Sequence, residues 1–383
     1  MTEFRLPAEA VVAPGFEPVA EEFERNFEER GELGAAFAVH HRGELVLDLW
    51  GGVADRESGA PWERDTLQLI FSGSKGLVAI CLLLLIDRGL LDLEEEVRAY
   101  WPEFAAAGKG EITVRQVVTH TAGLPGLSEP VTVEELTDDR RMAELLAAQA
   151  PLEDPRTATA YHPITFGWLC GELVRRIDGR SVGRFFAEEI ALGLEIFIGL
   201  PPELEPRVAR LEVAPGWGQA GPFDAAAAEE DNLLRTVFHN PVVWTRESFP
   251  WNSSTYRRAE IPAVNAIGSA RALAALYGSL DRLLSPEALA LGASELGRRH
   301  DLLLDEHQRF GVGFELQNEL MPFGPPADAF GHTGAGGSVH GRWPGSGLGF
   351  SYAMNLLHDD YADGDPRPAA LLRALSECVE AGA

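Results

Sequence analysis

Residues 70–89 read IFSGSKGLVAICLLLLIDRG, and the meaning of this stretch decides how the rest of the chain is read. It holds Lys75, one of only two lysines among 32 basic residues, the other being Lys109. A composition that turns nearly every cation into arginine has kept an amine directly ahead of an apolar run. Lysine loses its proton when desolvated, whereas arginine effectively does not. Gly73 and the helix formers after it place Ser72 at or just before the first turn of a helix. Residues three apart share a helical face, so Lys75 stands one turn above Ser72. The positive end of the helix dipole stabilises an alkoxide developing on Ser72 and disfavours the charged form of Lys75, and burial lowers the lysine further. A neutral amine beside a hydroxyl is a base next to a nucleophile. A Ser-x-x-Lys also arises by chance, and a lysine in a first turn is equally a solvated surface residue. Context has to decide between them.

Composition narrows that context. The formal charge of −27 opposes binding to nucleic-acid phosphates or anionic membranes. Cys81, Cys170 and Cys378 lie in apolar helical patterns without metal or redox spacing, as buried free thiols of a reducing compartment do. The opening MTEFRLPAEAVVAPGFEP lacks a basic segment followed by an apolar one, and the run Leu77 to Ile86 is about half of a membrane span. The expectation is a cytoplasmic protein without a cofactor. The histidines show no His-x-x-x-His or Asp/Cys clustering suited to zinc, so no metal site is expected.

The two ends of the chain look alike in kind. FEPVAEEFERNFEERGELG (16–34) predicts an amphipathic helix closed by glycine, and GAAFAVHHRGELVLDLWGG (34–52) a β-hairpin. RFGVGFEL (309–316), GGSVHGRW (336–343) and GLGFSYAMNLLH (347–358) predict three further strands, and LLRALSECVEA (371–381) a closing helix. The pattern predicts an α+β fold whose antiparallel sheet is built from both chain ends, 1–65 and 260–383, and flanked by terminal helices. Residues 66–259 form an inserted helical lobe, of which 200–258 is an irregular, lid-like segment.

Two further motifs accompany Ser72 and Lys75. TAYHPITFGWLCGELVRRIDGRS (159–181) sets Tyr161 just ahead of a helix, and FGHTGAGGSVHGRW (330–343) sets a His-x-Gly before a glycine-rich turn between strands. With FSGSKG, TVRQVVTHTAGLPG (113–126) and IPAVNAIGSARALAALYGSL (261–280), these resemble the class C β-lactamase and penicillin-binding-protein superfamily, in particular the family VIII carboxylesterases. The resemblance covers most of the chain. It implies that Ser72 is a nucleophile forming an acyl-enzyme, that Lys75 accepts its proton, and that Tyr161 relays a proton to the leaving group and then activates water. It also implies an oxyanion hole made by the backbone N–H groups of Ser72 and Ala335, with His332 and Gly334 in the third motif facing the substrate.

Two departures from the lactamase pattern favour neutral esters. Tyr161-His162-Pro163 stands where lactamases carry Tyr-x-Asn, and proline has neither a side-chain amide nor an N–H. His332 replaces a lysine, so an anionic substrate loses attraction. The expected partner is therefore a small-molecule ester. Acyl transfer, cleavage of D-amino-acid peptides, weak β-lactamase activity or a silent penicillin-recognition protein are the alternatives on the same site. His120 reads as a brace for a turn. Trp251 and Phe249, with Trp217 and Trp244, either line a substrate pocket or form the underside of the irregular segment.

Overall fold

The computed structural model describes residues 4–219, 221–304, 307–359 and 364–383. A short edge strand β1 (Val11–Val12) and helix α1 (Glu17–Glu29) precede the hairpin β2 (Gly34–His41) and β3 (Glu44–Asp55). The chain then leaves the sheet. It forms helix α2 (Gly73–Asp87), α3 (Thr165–Asp178) and, on returning, α4 (Ala270–Gly278). The remaining strands follow: β4 (Gly297–His300), β5 (His307–Phe310), β6 (Glu315–Leu316), β7 (Phe330–Gly334), β8 (Ser338–Trp343) and β9 (Leu348–Met354). Helix α5 (Pro366–Glu380) closes the chain.

These strands make one antiparallel sheet in the order β1-β3-β2-β9-β8-β7-β6-β5-β4. The two chain ends meet where β9 pairs β2, with Phe350 opposite Val39 and Tyr352 opposite Phe37. Successive residues of a strand face opposite sides, and the two faces differ in bulk. Phe37, Val39, Leu47, Leu49, Phe350 and Tyr352 belong to the large core that also holds α1 and α5. Ala36, Ala38 and Ala353 form a small-residue face against Ala270 and Ala274 of α4. Small residues let α4 approach closely: a Cβ on Gly349 would lie 2.1 Å from the Gly278 nitrogen.

Helix α2 is buried from Gly73 through Leu85, on every side. A helix apolar all round belongs inside a protein, and this one runs between the sheet and α3. A three-stranded ribbon of Gln68–Leu69, Ile267–Gly268 and Ile196–Phe197 leads into its start.

One sequence expectation changes in detail. RFGVGFEL is not one strand: Gly311 donates to the Phe314 carbonyl, and Gly313 takes φ 70°, folding the run back so that Phe310 pairs Glu315. Two glycines make that reversal possible, and it brings Glu315 under the next strand. The segment 200–258 is more structured than expected, with short helices at Ala225–Glu230, Asn232–Phe238 and Ser254–Arg258.

Candidate active site

Phe71 has a left-handed backbone, φ 43°, which is uncommon outside glycine and costs of order 1 kcal/mol or more. Its ring is wedged against Trp244 and Trp251, at centroid distances of 5.7 and 5.6 Å, which holds the strained turn in place. The turn ends at Ser72, the residue immediately before α2. Ser74 fastens the same corner, donating from Oγ to the Phe71 carbonyl while accepting the Ala266 N–H.

One helical turn on, Lys75 Nζ lies 2.9 Å from Ser72 Oγ, 2.7 Å from the Pro163 carbonyl oxygen and 3.1 Å from that of Ala263. Lys75 is fully buried, and desolvation holds its amine well below the ordinary lysine range, although Glu315 pulls the other way. A neutral amine has two N–H donors and one lone pair. With its donors on the two carbonyls, such an amine would turn its lone pair to the serine hydroxyl. Pro163, which lacks the amide side chain of the lactamase pattern, thus still supplies an acceptor from its backbone.

Tyr161 lines the same cavity as Ser72, and its ring lies 4.8 Å from Lys75 Nζ. Burial raises its phenol above the ordinary value, so the hydroxyl stays protonated and able to donate. Its backbone is braced from beneath. His120, itself at φ 59°, accepts the His162 N–H at Nδ1 and sets its ring 4.7 Å from Tyr161 and 4.4 Å from Phe310. His162 donates from Nδ1 to the Ala160 carbonyl and accepts the Leu124 N–H at Nε2, which defines a neutral tautomer. Desolvation lowers its pKa to about 3, in agreement with that assignment.

The third motif forms the facing wall. His332 donates from Nδ1 to the Thr333 carbonyl and is held neutral, its pKa lowered to about 3, chiefly by burial. Glu315 Oε2 accepts from both the N–H and the hydroxyl of Thr333. Gly334 has to be glycine, since a Cβ there would meet Ser338 Oγ at 2.2 Å and the Ile70 carbonyl at 2.4 Å. That close approach locks the strand against the corner holding Ser72.

Ser72, Tyr161, His332, Gly334 and Ala335 line one cavity of about 220 Å³, with Phe223, Phe238, Trp244 and Phe310 as its aromatic side. Trp251 and Phe249, read from the sequence as pocket residues, do not line it. Trp251 is wholly buried and donates to the Val243 carbonyl, filling the layer behind Trp244 and Phe71. Phe249 is half-buried against the core. Their place is taken by Trp244 and by Phe223, which stack at 5.0 Å. Glu315 escaped the sequence reading because the run around it looked like an ordinary strand. His340 and Tyr277 escaped it too. His340 sits opposite His332 across β7 and β8, and its alternation with apolar Val339 was the available signal.

A deep corner holding a serine and a desolvated lysine, under a strand bearing His-Thr-Gly, defines a serine-hydrolase site on a β-lactamase-like fold. The family model described as Beta-lactamase matches residues 20–374, and the chain belongs to that family as a carboxylesterase-like serine hydrolase. The chain is 36% identical over 364 residues to Esterase/beta-lactamase LipL of Mycobacterium tuberculosis, covering 90% of this chain and 82% of that protein. Among solved structures, a family VIII carboxylesterase superposes with a TM-score of 0.87 at 35% identity, over 98% of this chain and 100% of the other. A penicillin-binding-protein homologue from Caulobacter crescentus gives the same TM-score, identity and coverage. Among the described residues, no helix is long and apolar enough to cross a membrane.

Proposed function

We propose that the protein hydrolyses small, uncharged carboxylic esters through an acyl-enzyme on Ser72. The observation that carries this reading is the placement of Lys75 Nζ, 2.9 Å from Ser72 Oγ and within hydrogen-bond distance of two carbonyls, which leaves a neutral amine's lone pair for the serine. The serine proton passes to Lys75 as Oγ bonds to the ester carbonyl carbon. The carbonyl oxygen, now negative, receives the N–H groups of Ser72 and Ala335, one at the head of a helix and one just past the end of β7. Collapse of the tetrahedral species expels the alcohol, which takes a proton through Tyr161. Water then attacks the acyl group, giving its proton back along the same path and restoring Ser72.

The cavity supports the substrate class. Among its described lining residues there is no arginine or lysine, and His332 is neutral, so nothing there attracts a carboxylate. The aromatic side and a volume of about 220 Å³ suit a short apolar acyl group. The three buried free cysteines fit a reducing compartment such as the cytoplasm.

The test is intact-mass spectrometry after brief exposure to short-chain p-nitrophenyl esters, alongside the Ser72→Ala variant. An acyl adduct on the wild type that is absent from the folded variant, with turnover lost, is the expected result. Retained turnover in Ser72→Ala sinks the reading.

A further inference from the structure

We propose that Arg367, remote from the reacting atoms, is a positioning residue that fixes the turn carrying the Ala335 N–H. The proposal rests on the acyl-enzyme reading, in which Ala335 is one of the two oxyanion donors.

Arg367 is the second residue of α5, and its side chain is wholly buried. A guanidinium has five N–H donors in a rigid plane, and here each has an acceptor. Nε donates to the Asp365 carboxylate at 3.1 Å. Nη1 donates to Glu32 Oε1 at 3.2 Å and to the Leu356 carbonyl at 2.9 Å. Nη2 donates to Asp365 Oδ2 at 2.6 Å and to the Gly336 carbonyl at 2.9 Å. Glu32 comes from the connection between α1 and β2 and also accepts the Tyr352 hydroxyl and the Leu33 N–H, so the cluster joins both chain ends to one point.

That point is the turn between β7 and β8. Gly337 donates to the Gly334 carbonyl, which closes the turn over Ala335 and Gly336. Gly336 and Gly337 take φ values of 87° and 120°, conformations that glycine reaches without strain. The same freedom leaves a two-glycine turn without a side chain of its own to fix it. The ion pair supplies the missing contact. A Cβ on Gly337 would lie 2.1 Å from Asp365 Oδ2 and 2.8 Å from Arg367 Nη2, so the pair sits flush against the backbone. The Gly336 carbonyl is gripped a second time by the His358 N–H.

Buried ion pairs are weak evidence for stability, and apolar residues of similar volume often replace them at no loss. An apolar replacement cannot grip a carbonyl, however. Oxyanion donors act by being aimed before the charge develops, and holding the Gly336 carbonyl fixes the short turn from which the Ala335 N–H projects. Lysine has three donors on a flexible stem and cannot serve all five acceptor positions.

The experiment compares Arg367→Lys, Asp365→Asn and Glu32→Gln with the wild type, each checked for native fold by near- and far-UV circular dichroism. Two quantities are read: kcat and KM on p-nitrophenyl acetate, and the Kd of phenylboronic acid, which forms a tetrahedral adduct with a nucleophilic serine. Arg367→Lys is expected to lower kcat about tenfold or more with KM within about threefold, and to weaken the boronate in proportion. Asp365→Asn and Glu32→Gln should shift both quantities in the same direction by less, and they carry the test if Arg367→Lys does not fold. A folded variant set with kcat within twofold of wild type, or losses in KM alone, overturns the proposal. So does a kcat loss that leaves boronate affinity unchanged. A wild type that forms no acyl adduct instead overturns the acyl-enzyme reading, which separates the two failures.

Discussion

Lys75 Nζ and Ser72 Oγ are 2.9 Å apart at the head of α2, where the lysine is fully buried and the serine opens onto the cavity. Desolvation is the largest influence on the amine, ahead of the opposing charge of Glu315. In the proposed reading the pair serves as base and nucleophile, because burial works against an ammonium there.

Lys75→Met keeps the apolar stem and removes the amine. The expected loss in kcat/KM is about 10²- to 10⁴-fold, the usual scale for a positioned base. In the wild type, kcat/KM should fall as pH drops through the lowered pKa of Lys75, since the protonated amine has no lone pair for the serine proton. Steady-state rates from pH 5 to 9 measure both effects. Near-normal turnover in a folded Lys75→Met would falsify the assignment of the base.

Gly76 sits on α2 against Tyr277, and a Cβ there would lie 2.1 Å from the tyrosine hydroxyl oxygen but 3.4 Å from the ring carbon bearing it. Gly76→Ala should therefore destabilise the protein by about 1–3 kcal/mol, the usual cost of overpacking. Adding Tyr277→Phe removes the clashing atom and should restore most of the loss. Urea midpoints of the two single variants and the double variant decide the matter, and purely additive effects would contradict it.

His340 is fully buried, hydrogen-bonded to Ser351 and lowered in pKa to about 3 by desolvation. Above pH 6.5 it is neutral folded and unfolded, and contributes no pH dependence. Between 6.5 and 3 the unfolded chain takes up its proton and the folded chain does not. Stability therefore falls with pH across this window, by about 1.4 kcal/mol per unit for each such histidine. His162 and His332 act in the same sense, while the raised carboxyls of Glu32 and Glu260 oppose them at the acid end. His340→Gln should make the slope of unfolding free energy between pH 6 and 5 shallower by about 1.4 kcal/mol per unit. An unchanged slope would mean that the ring is charged in the folded state.

Phe238 lies on the aromatic side of the cavity, 5.8 Å from Phe223 in an edge-on pair. Phe238→Leu removes bulk there without exposing polar atoms. Relative kcat/KM across p-nitrophenyl esters should shift toward longer acyl chains by several-fold. An unchanged ranking would place the acyl group elsewhere in the cleft.

Much of this was legible in the sequence, for local reasons. Ser72 and Lys75 share a face because α-helical spacing is fixed, and the leucine-rich run announces a buried helix before any neighbour is known. Strand alternation at both chain ends, with a helix at each terminus, foretold a sheet closed by the ends meeting, as β9 pairing β2 shows. What depended on distant contacts was not legible. Trp251 and Trp244 are alike by composition, and only packing puts one in the cleft and the other behind it. Glu315 reaches Thr333 because two glycines reverse the chain at 311–314, a fold-back that a strand pattern conceals. Nothing in the sequence sets Arg367 apart from the other arginines, yet it pairs with Glu32 more than 300 positions away. Sequence by itself determined the class of fold and singled out Ser72 and Lys75 as candidate nucleophile and base, because those are properties of simple alternation and of one helix. The tertiary structure decided which groups surround them, because desolvation, which sets the lysine's charge state, depends on neighbours brought from elsewhere in the chain.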